Sequence, residues 1–146
     1  MLKRVMLLAA TPLAIASLAA PAAAAVINVV KTAACGCCGK WVEHMKKAGH
    51  DVRVVNVADV TPTARRLGVP DDLRSCHTSS VGGYAIEGHV PAADIARLLR
   101  ERPKAAGLSV PGMVAGSPGM EMGSNKPPYQ TIIFTRDGKR KVFAQH

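Results

Sequence analysis

The segment 26–41, VINVVKTAACGCCGKW, decides the fold of this chain. Its first five residues are mostly β-branched, which is typical of a short buried strand. The cysteines follow at once, and after them a helix is predicted whose apolar residues share one face: Trp41, Val42, Met45 and Ala48. A C-x-x-C motif between a first strand and its helix is typical of a thioredoxin-like fold.

The rest of the chain continues the alternation of strands and helices. The predicted elements are a strand at 52–57, a helix at 62–67 capped by Thr61, a loop at 76–78, a strand through 84–86, a helix opened by Pro91, an irregular loop at 108–128, and a hairpin of strands 131–134 and 141–144. This order predicts an α/β protein of thioredoxin-like fold, with a mixed β-sheet flanked by helices. An irregular, Met-containing loop precedes the C-terminal hairpin.

The N-terminus has the pattern of a secretory signal peptide. Lys3 and Arg4 precede an uncharged apolar run from Val5 to Ala20, and small residues follow at 22–25. We therefore expect residues 1–25 to be removed, which leaves a single thioredoxin-like domain at 26–146 in the periplasm. No later segment is apolar enough to span a membrane, so no membrane partner is expected after cleavage.

Composition argues against a nucleic-acid partner. The chain carries 19 Lys and Arg against 10 Asp and Glu, a net charge of +9, but only 3% of its residues are aromatic. With almost no rings to stack on bases, an exported basic chain is better explained by a solvated basic surface.

The four cysteines carry the functional information. Cys35, Cys37 and Cys38 lie within four residues, and Cys76 is followed directly by His77. Export favours disulfides, yet only a Cys35–Cys38 bond or a long-range bond to Cys76 fits disulfide geometry, and at least one thiol is left over. At a helix start, unpaired backbone N–H groups and the helix dipole favour thiolates. The predicted fold places the loop that contains Cys76 beside the other three cysteines.

Clustered thiolates select soft metals, namely Cu(I), Zn(II) or iron–sulfur clusters. A structural zinc site prefers two separated cysteine pairs, whereas C-x-C-C crowds its sulfurs so that each can bridge two ions. The pattern therefore favours Cu(I), with several ions per chain, bound by Cys35, Cys37, Cys38 and Cys76. Thiol–disulfide exchange by Cys35 and Cys38, and a zinc-stabilised domain, are the alternatives.

Other side chains are candidate copper ligands. His77 is adjacent to Cys76, and His89 lies where a strand ends and a helix begins, while three methionines occupy the irregular loop. Imidazole and thioether both suit copper. The candidates are His77, His89, Met113, Met120 and Met122.

Five blocks of this sequence together resemble a known family. They are CGCCGKW (35–41), GVP (68–70), SCHT (75–78), GYAIEGHVP (83–91) and VPGMVAGSPGME (110–121). The chain resembles the domain-of-unknown-function 411 family of exported, CopG-like bacterial metal-binding proteins tied to copper resistance. The resemblance covers nearly the whole of 26–146, although Val114 stands where the family often has proline.

The resemblance implies a thioredoxin-like fold and copper binding by Cys35, Cys37, Cys38 and Cys76. We therefore expect a periplasmic copper-binding protein that holds Cu(I) in a thiolate-bridged multinuclear site for copper resistance or homeostasis, with Cu(I)/Cu(II) cycling as a further capacity. Its expected partners are copper ions and other periplasmic copper-handling proteins. The resemblance does not by itself make the chain an enzyme. A periplasmic thiol–disulfide oxidoreductase using Cys35 and Cys38 is the alternative function.

Overall fold

The computed structural model describes residues 24–146. The predicted signal peptide at 1–25 therefore lies, apart from its last two residues, outside the described part of the chain. Among the described residues, no helix is both long enough and apolar enough to cross a membrane.

Seven strands and three helices make up the described chain. In chain order they are β1 (Val26–Lys31), α1 (Gly36–Lys47), β2 (Asp51–Asn56), α2 (Thr61–Leu67), β3 (His77–Val81), β4 (Tyr84–Gly88), α3 (Ala92–Glu101), β5 (Gly107–Val110), β6 (Gln130–Phe134) and β7 (Arg140–Gln145), with a short 3₁₀ turn at Asp71–Leu73.

The strands form one mixed sheet in the order β2-β1-β3-β4-β5-β6-β7. β1 with β2 and β4 with β5 run parallel, while the other neighbours are antiparallel. The sheet confirms the predicted mixed α/β architecture, including the C-terminal hairpin. The more specific thioredoxin-like assignment stays a prediction.

Helices cover both faces of this sheet. Ile86 belongs to the larger core cluster, which also contains residues of α1 and α3, whereas its neighbour Ala85 belongs to a second cluster with Ala64 of α2. Because successive side chains of a strand point to opposite faces, α2 lies on the face away from α1 and α3. The fully buried Trp41 anchors α1, and so the cysteines at its start, to the sheet.

The sequence analysis missed two strands. The segment 76–78, predicted as a loop, contributes His77 and Thr78 to β3, and the predicted loop at 108–128 begins inside β5. β3 is a polar strand, HTSSV, without hydrophobic alternation, and it is buried because it lies between β1 and β4. β5 is only four residues long and begins with glycine.

Two helix ends also differ from the prediction. Ala48 is the exposed C-cap of α1 and not part of its buried face. Thr61 is the first helical residue of α2, with Val60 as the N-cap, because the Asp59 carboxylate accepts the Thr61 N–H at 2.8 Å.

Candidate metal centre

The candidate site residues meet at one edge of the sheet. β1 ends at Lys31, whose antiparallel partner is His77 at the start of β3. β4 ends at Gly88, directly before His89, on the same edge since it runs antiparallel to β3. The cysteine turn, Cys76 and His89 therefore meet although they are far apart in the sequence.

The start of α1 presents three of the four cysteines. Cys35 is the N-cap, as the sequence predicted, and Cys38 is the third helical residue. The Cys35 side chain accepts no capping hydrogen bond from the helix, and the first turn contains no acidic residue. The backbone N–H groups and the positive end of the helix dipole are therefore left to act on the sulfurs.

All four cysteine sulfurs lie within 4.8 Å of one another. Cys35 and Cys38 are joined by a disulfide, while Cys37 and Cys76 are free. The Sγ of Cys37 lies 3.5 Å from that of Cys35 and 3.9 Å from that of Cys76, and the Cys38 and Cys76 sulfurs are 3.5 Å apart. Reduction of the disulfide would thus give four convergent thiols.

His89 faces Cys76 with a defined ring nitrogen. Its Nδ1 lies 2.8 Å from the Pro118 carbonyl oxygen, which can only accept, so Nδ1 carries the proton. Burial lowers the pKa of His89, which favours the neutral ring. Nε2 therefore directs its lone pair at the Cys76 Sγ, 3.0 Å away.

His77 lies on the other side of Cys76. Its Nδ1 is 3.5 Å from the Cys76 Sγ, and its fully buried ring lies 4.6 Å from the Trp41 ring. Burial lowers the pKa of His77 to about 3, and the neighbouring His89 and Lys31 act in the same direction. His77 is thus a neutral imidazole, the form that binds metals. Cys76, His77 and His89 form a second group of close ligand atoms.

The Cys76 thiol keeps its proton without a metal. Burial, reinforced by the nearby Cys37, raises its pKa to about 12. A protonated thiol can donate to the His89 lone pair across the 3.0 Å between the two atoms.

Glu87 is a site residue that the sequence analysis missed. It is fully buried, and its carboxylate accepts hydrogen bonds from the Ser75 N–H at 2.7 Å and the Thr78 hydroxyl at 2.6 Å. Arg74 Nε lies 3.6 Å from it. Burial raises the pKa of Glu87, and these partners oppose that shift. The only signal for this role in the sequence is a carboxylate inside the strand segment YAIEG. Through Ser75, Glu87 fixes the backbone that carries Cys76.

The loop between β5 and β6 wraps around the centre. Gly112 N–H donates to the Arg74 carbonyl at 3.1 Å, Pro118 contacts His89, and the Glu121 carboxylate lies 2.7 Å from Nε2 of His44 in α1. The loop methionines differ in exposure: Met113 and Met122 are 59% and 64% exposed, and Met120 is half-buried. The structure thus brings their loop to the centre, while ligation by Met113, Met120 and Met122 stays a prediction.

Comparisons with known proteins identify the family of this chain. The family described as "Protein of unknown function, DUF411" matches residues 73–120. The solved structure named "Copper resistance protein copG- Form 2" has a TM-score of 0.81 and 44% identity, over 85% of this chain and 99% of that one. The "Form 1" structure has a TM-score of 0.79 and 46% identity, over 83% and 96% of the two chains. A search of curated proteins finds no match. The chain therefore belongs to the DUF411 family of CopG-like copper resistance proteins.

Proposed function

We propose that the mature chain is a periplasmic protein that holds Cu(I) in a multinuclear site bridged by the thiolates of Cys35, Cys37, Cys38 and Cys76. The observation that carries this proposal is the convergence of all four sulfurs within 4.8 Å at the start of α1. Binding through all four requires that the Cys35–Cys38 disulfide be reduced first.

The donor set fits copper(I) better than a structural zinc. Thiolates are soft ligands, and sulfurs 3.5–3.9 Å apart can share metal ions. Three of the four come from one short turn, whereas zinc prefers two separated pairs around one ion. His77 and His89 add nitrogen donors beside Cys76, and we assign the loop residues Met113, Met120 and Met122 as further thioether donors.

The biological role we propose is copper resistance or homeostasis. Two solved structures that are 44% and 46% identical to this chain are named copper resistance proteins. Mixed sulfur and imidazole donors support both Cu(I) and Cu(II), so cycling between the two states belongs to the same proposal. Other periplasmic copper-handling proteins would deliver or receive the ions.

An anaerobic copper titration tests this proposal. The reduced chain 26–146 is titrated with Cu(I) against a chromophoric chelator, beside a variant in which all four cysteines are serine. We expect more than one copper per chain, lost in the variant. At most one copper per chain, or equal binding by the variant, would contradict the thiolate cluster. Substituting leucine for the three methionines then measures the share of the loop.

The alternative function is thiol–disulfide exchange. It is favoured by the disulfide between Cys35 and Cys38 and by the free Cys37 thiol, 3.5 Å from the Cys35 sulfur. An oxidoreductase would catalyse insulin reduction in metal-free form and would keep that activity in Cys37→Ser. A rate no faster than that of a small dithiol would exclude it.

A further inference from the structure

A basic cavity lies on the surface of the chain, away from the cysteines. Its volume is about 320 Å³, which is within the range of small-ligand sites. Of its eight lining residues, four are cationic and none is acidic. The cationic residues are Lys104, which follows α3, and Lys139, Arg140 and Lys141 of the β6–β7 hairpin. The cavity thus concentrates positive charge in a concave site.

The cavity and the metal centre lie at opposite edges of the sheet. β4 and β5 run parallel and end together, at Gly88 and Val110, next to His89. The cavity lies at the start of β5, where Gly107 pairs with Phe134 at the end of β6. Because a strand rises about 3.3 Å per residue, the length of β5 separates the two sites by at least about 10 Å. A small ligand in the cavity therefore does not reach the cysteines.

Two of the four cations are free to bind a ligand. Arg140 forms an ion pair with Asp72, and Lys139 forms one with a neighbouring carboxylate. Lys104 and Lys141 are exposed and form no ion pair within residues 24–146. The cavity therefore keeps two positive charges that no carboxylate of the described chain neutralises.

The backbone position of Lys104 is fixed by an uncommon helix end. α3 ends at Glu101, and Arg102 follows with φ +46°, in the left-handed region that non-glycine residues rarely occupy. The Tyr84 hydroxyl then donates to the Pro103 carbonyl at 2.9 Å, directly before Lys104. Sparsely populated backbone conformations of this kind cluster at ligand sites. The segment that carries Lys104 is thus held against the hairpin.

The lining favours one chemical class of ligand. A guanidinium fork fits a carboxylate, but the fork of Arg140 is taken by Asp72. The two free ammonium groups are point charges, and a phosphate group carries nearly two negative charges at pH 7. Ile133, only 6% exposed, adds an apolar wall that can contact the carbon atoms next to a phosphate.

We propose that this cavity is a binding site for a phosphate group, held by Lys104 and Lys141. The phosphate belongs to a small phosphate monoester or to the headgroup of an anionic phospholipid, since both present the same charged group beside a short carbon chain. The inference goes beyond the proposed copper function and does not rest on it, because the two sites lie at opposite edges of the sheet.

An NMR titration of the metal-free chain 26–146 with glycerol 3-phosphate tests the site. We expect saturable shifts of the cavity residues Ile133 and Thr135. Binding should be at least about tenfold weaker in the double variant Lys104→Gln, Lys141→Gln, since two charges at contact distance are lost. Glycerol, which lacks the phosphate, should cause no such shifts.

A matched control separates the cavity from the general positive charge of the chain. The double variant Lys46→Gln, Lys47→Gln removes the same two charges from exposed positions on α1, outside the cavity. Its affinity should stay within about twofold of wild type, because distant exposed charges are screened. Equal weakening by the two double variants would overturn the proposal.

Vesicles distinguish the two sources of phosphate. Sedimentation with phosphatidylglycerol vesicles is compared with sedimentation with neutral phosphatidylcholine vesicles for the same three proteins. Binding to phosphatidylglycerol vesicles alone, reduced only in the Lys104 and Lys141 variant, would support the site and identify a lipid headgroup as its ligand. Binding of glycerol 3-phosphate alone would support the site and identify a soluble ester. If the wild type binds neither, the proposal is wrong, whatever the copper titration shows.

Discussion

The Sγ of Cys76 lies 3.0 Å from Nε2 of His89, which is the ring nitrogen without a proton. The Pro118 carbonyl fixes this tautomer by accepting from Nδ1. The pKa of the Cys76 thiol is raised to about 12, so the thiol keeps its proton and can donate it to this nitrogen. The metal-free centre is thus a protonated form of the donor arrangement that we propose binds Cu(I).

Copper binding is expected to release protons and to strengthen as pH rises. Because the Cys76 pKa is raised, this thiol is protonated at neutral pH and must lose its proton to bind metal. Each proton released raises the apparent Cu(I) affinity by about tenfold per pH unit. Competition against a chelator of known proton affinity, from pH 7 to 9, measures the slope. A pH-independent affinity would show that Cys76 is not a ligand.

Cys37→Ser separates the two candidate functions. Cys37 is free and links two other sulfurs, at 3.5 Å from Cys35 and 3.9 Å from Cys76, but it is not part of the disulfide. Losing this bridging position should reduce copper per chain by at least about half, since each sulfur of a cluster serves more than one ion. Copper is counted by elemental analysis after gel filtration, with the reduced wild type as reference. Unchanged copper content would remove Cys37 from the site.

Acid should destabilise the metal-free protein through His77. The folded state holds its pKa at about 3, while an unfolded histidine titrates near 6.5. Between these values the unfolded chain binds a proton that the folded chain excludes. The free energy of unfolding therefore falls as pH drops below 6.5, by about 1.4 kcal/mol per pH unit from this group.

Urea unfolding from pH 7 to pH 4 measures this slope, with His77→Phe as the matched variant. Phenylalanine fills the buried ring position beside Trp41 and cannot titrate. Its stability should depend on pH less steeply than that of the wild type, by about one proton. Parallel curves for the two proteins would contradict the neutral, buried state of His77.

The sequence predicted the elements whose signal is local. The C-x-C-C turn follows a β-branched strand and precedes an amphipathic helix, so the position of Cys35 as N-cap could be read from the pattern. The same holds for His89, which follows β4 and lies against Cys76. In both cases a few neighbouring residues contain the necessary information.

Other features depend on contacts between distant residues. β3 is polar and is buried only because β1 and β4 pair with it, so hydrophobic periodicity gives no signal for it. The hydrogen bond from Ser75 N–H to Glu87 joins residues 12 positions apart, and the one from His89 to the Pro118 carbonyl joins residues 29 positions apart. Such side-chain to backbone bonds become visible only when the fold has brought their partners together.

Glu87 should stabilise both the fold and the position of Cys76. Glu87→Ala leaves the Ser75 N–H, the Thr78 hydroxyl and the Arg74 guanidinium without their shared acceptor. Arg74 keeps Asp71 as an ion-pair partner at 3.9 Å, so the main cost is the two buried donors left without an acceptor, about 2–6 kcal/mol together. Glu87→Gln, which retains an acceptor, should cost about 1–3 kcal/mol. Urea unfolding gives these values, and faster alkylation of Cys76 reports the loosened backbone. If Glu87→Gln is as stable as the wild type, the carboxylate charge has no structural role.

The loop over the centre should depend on the close approach of Gly119 to α1. Gly119 has φ +86°, and a Cβ there would lie 2.7 Å from the Trp41 backbone nitrogen and 2.8 Å from the Cys37 carbonyl oxygen. Gly119→Ala must therefore push the loop off the helix start and displace the Pro118 carbonyl from His89. We expect a loss of about 2–4 kcal/mol from strain and overpacking together.

Gly123→Ala is the matched control, because Gly123 also has a positive φ, +62°, but nothing lies within 4 Å of its Cβ position. It should cost only the backbone strain, about 1–2 kcal/mol, and leave the centre intact. Copper transfer to a competing chelator should then be faster in Gly119→Ala and unchanged in Gly123→Ala. Equal transfer rates in both variants would mean that the loop does not retain copper, and the methionines it carries would lose their assigned role.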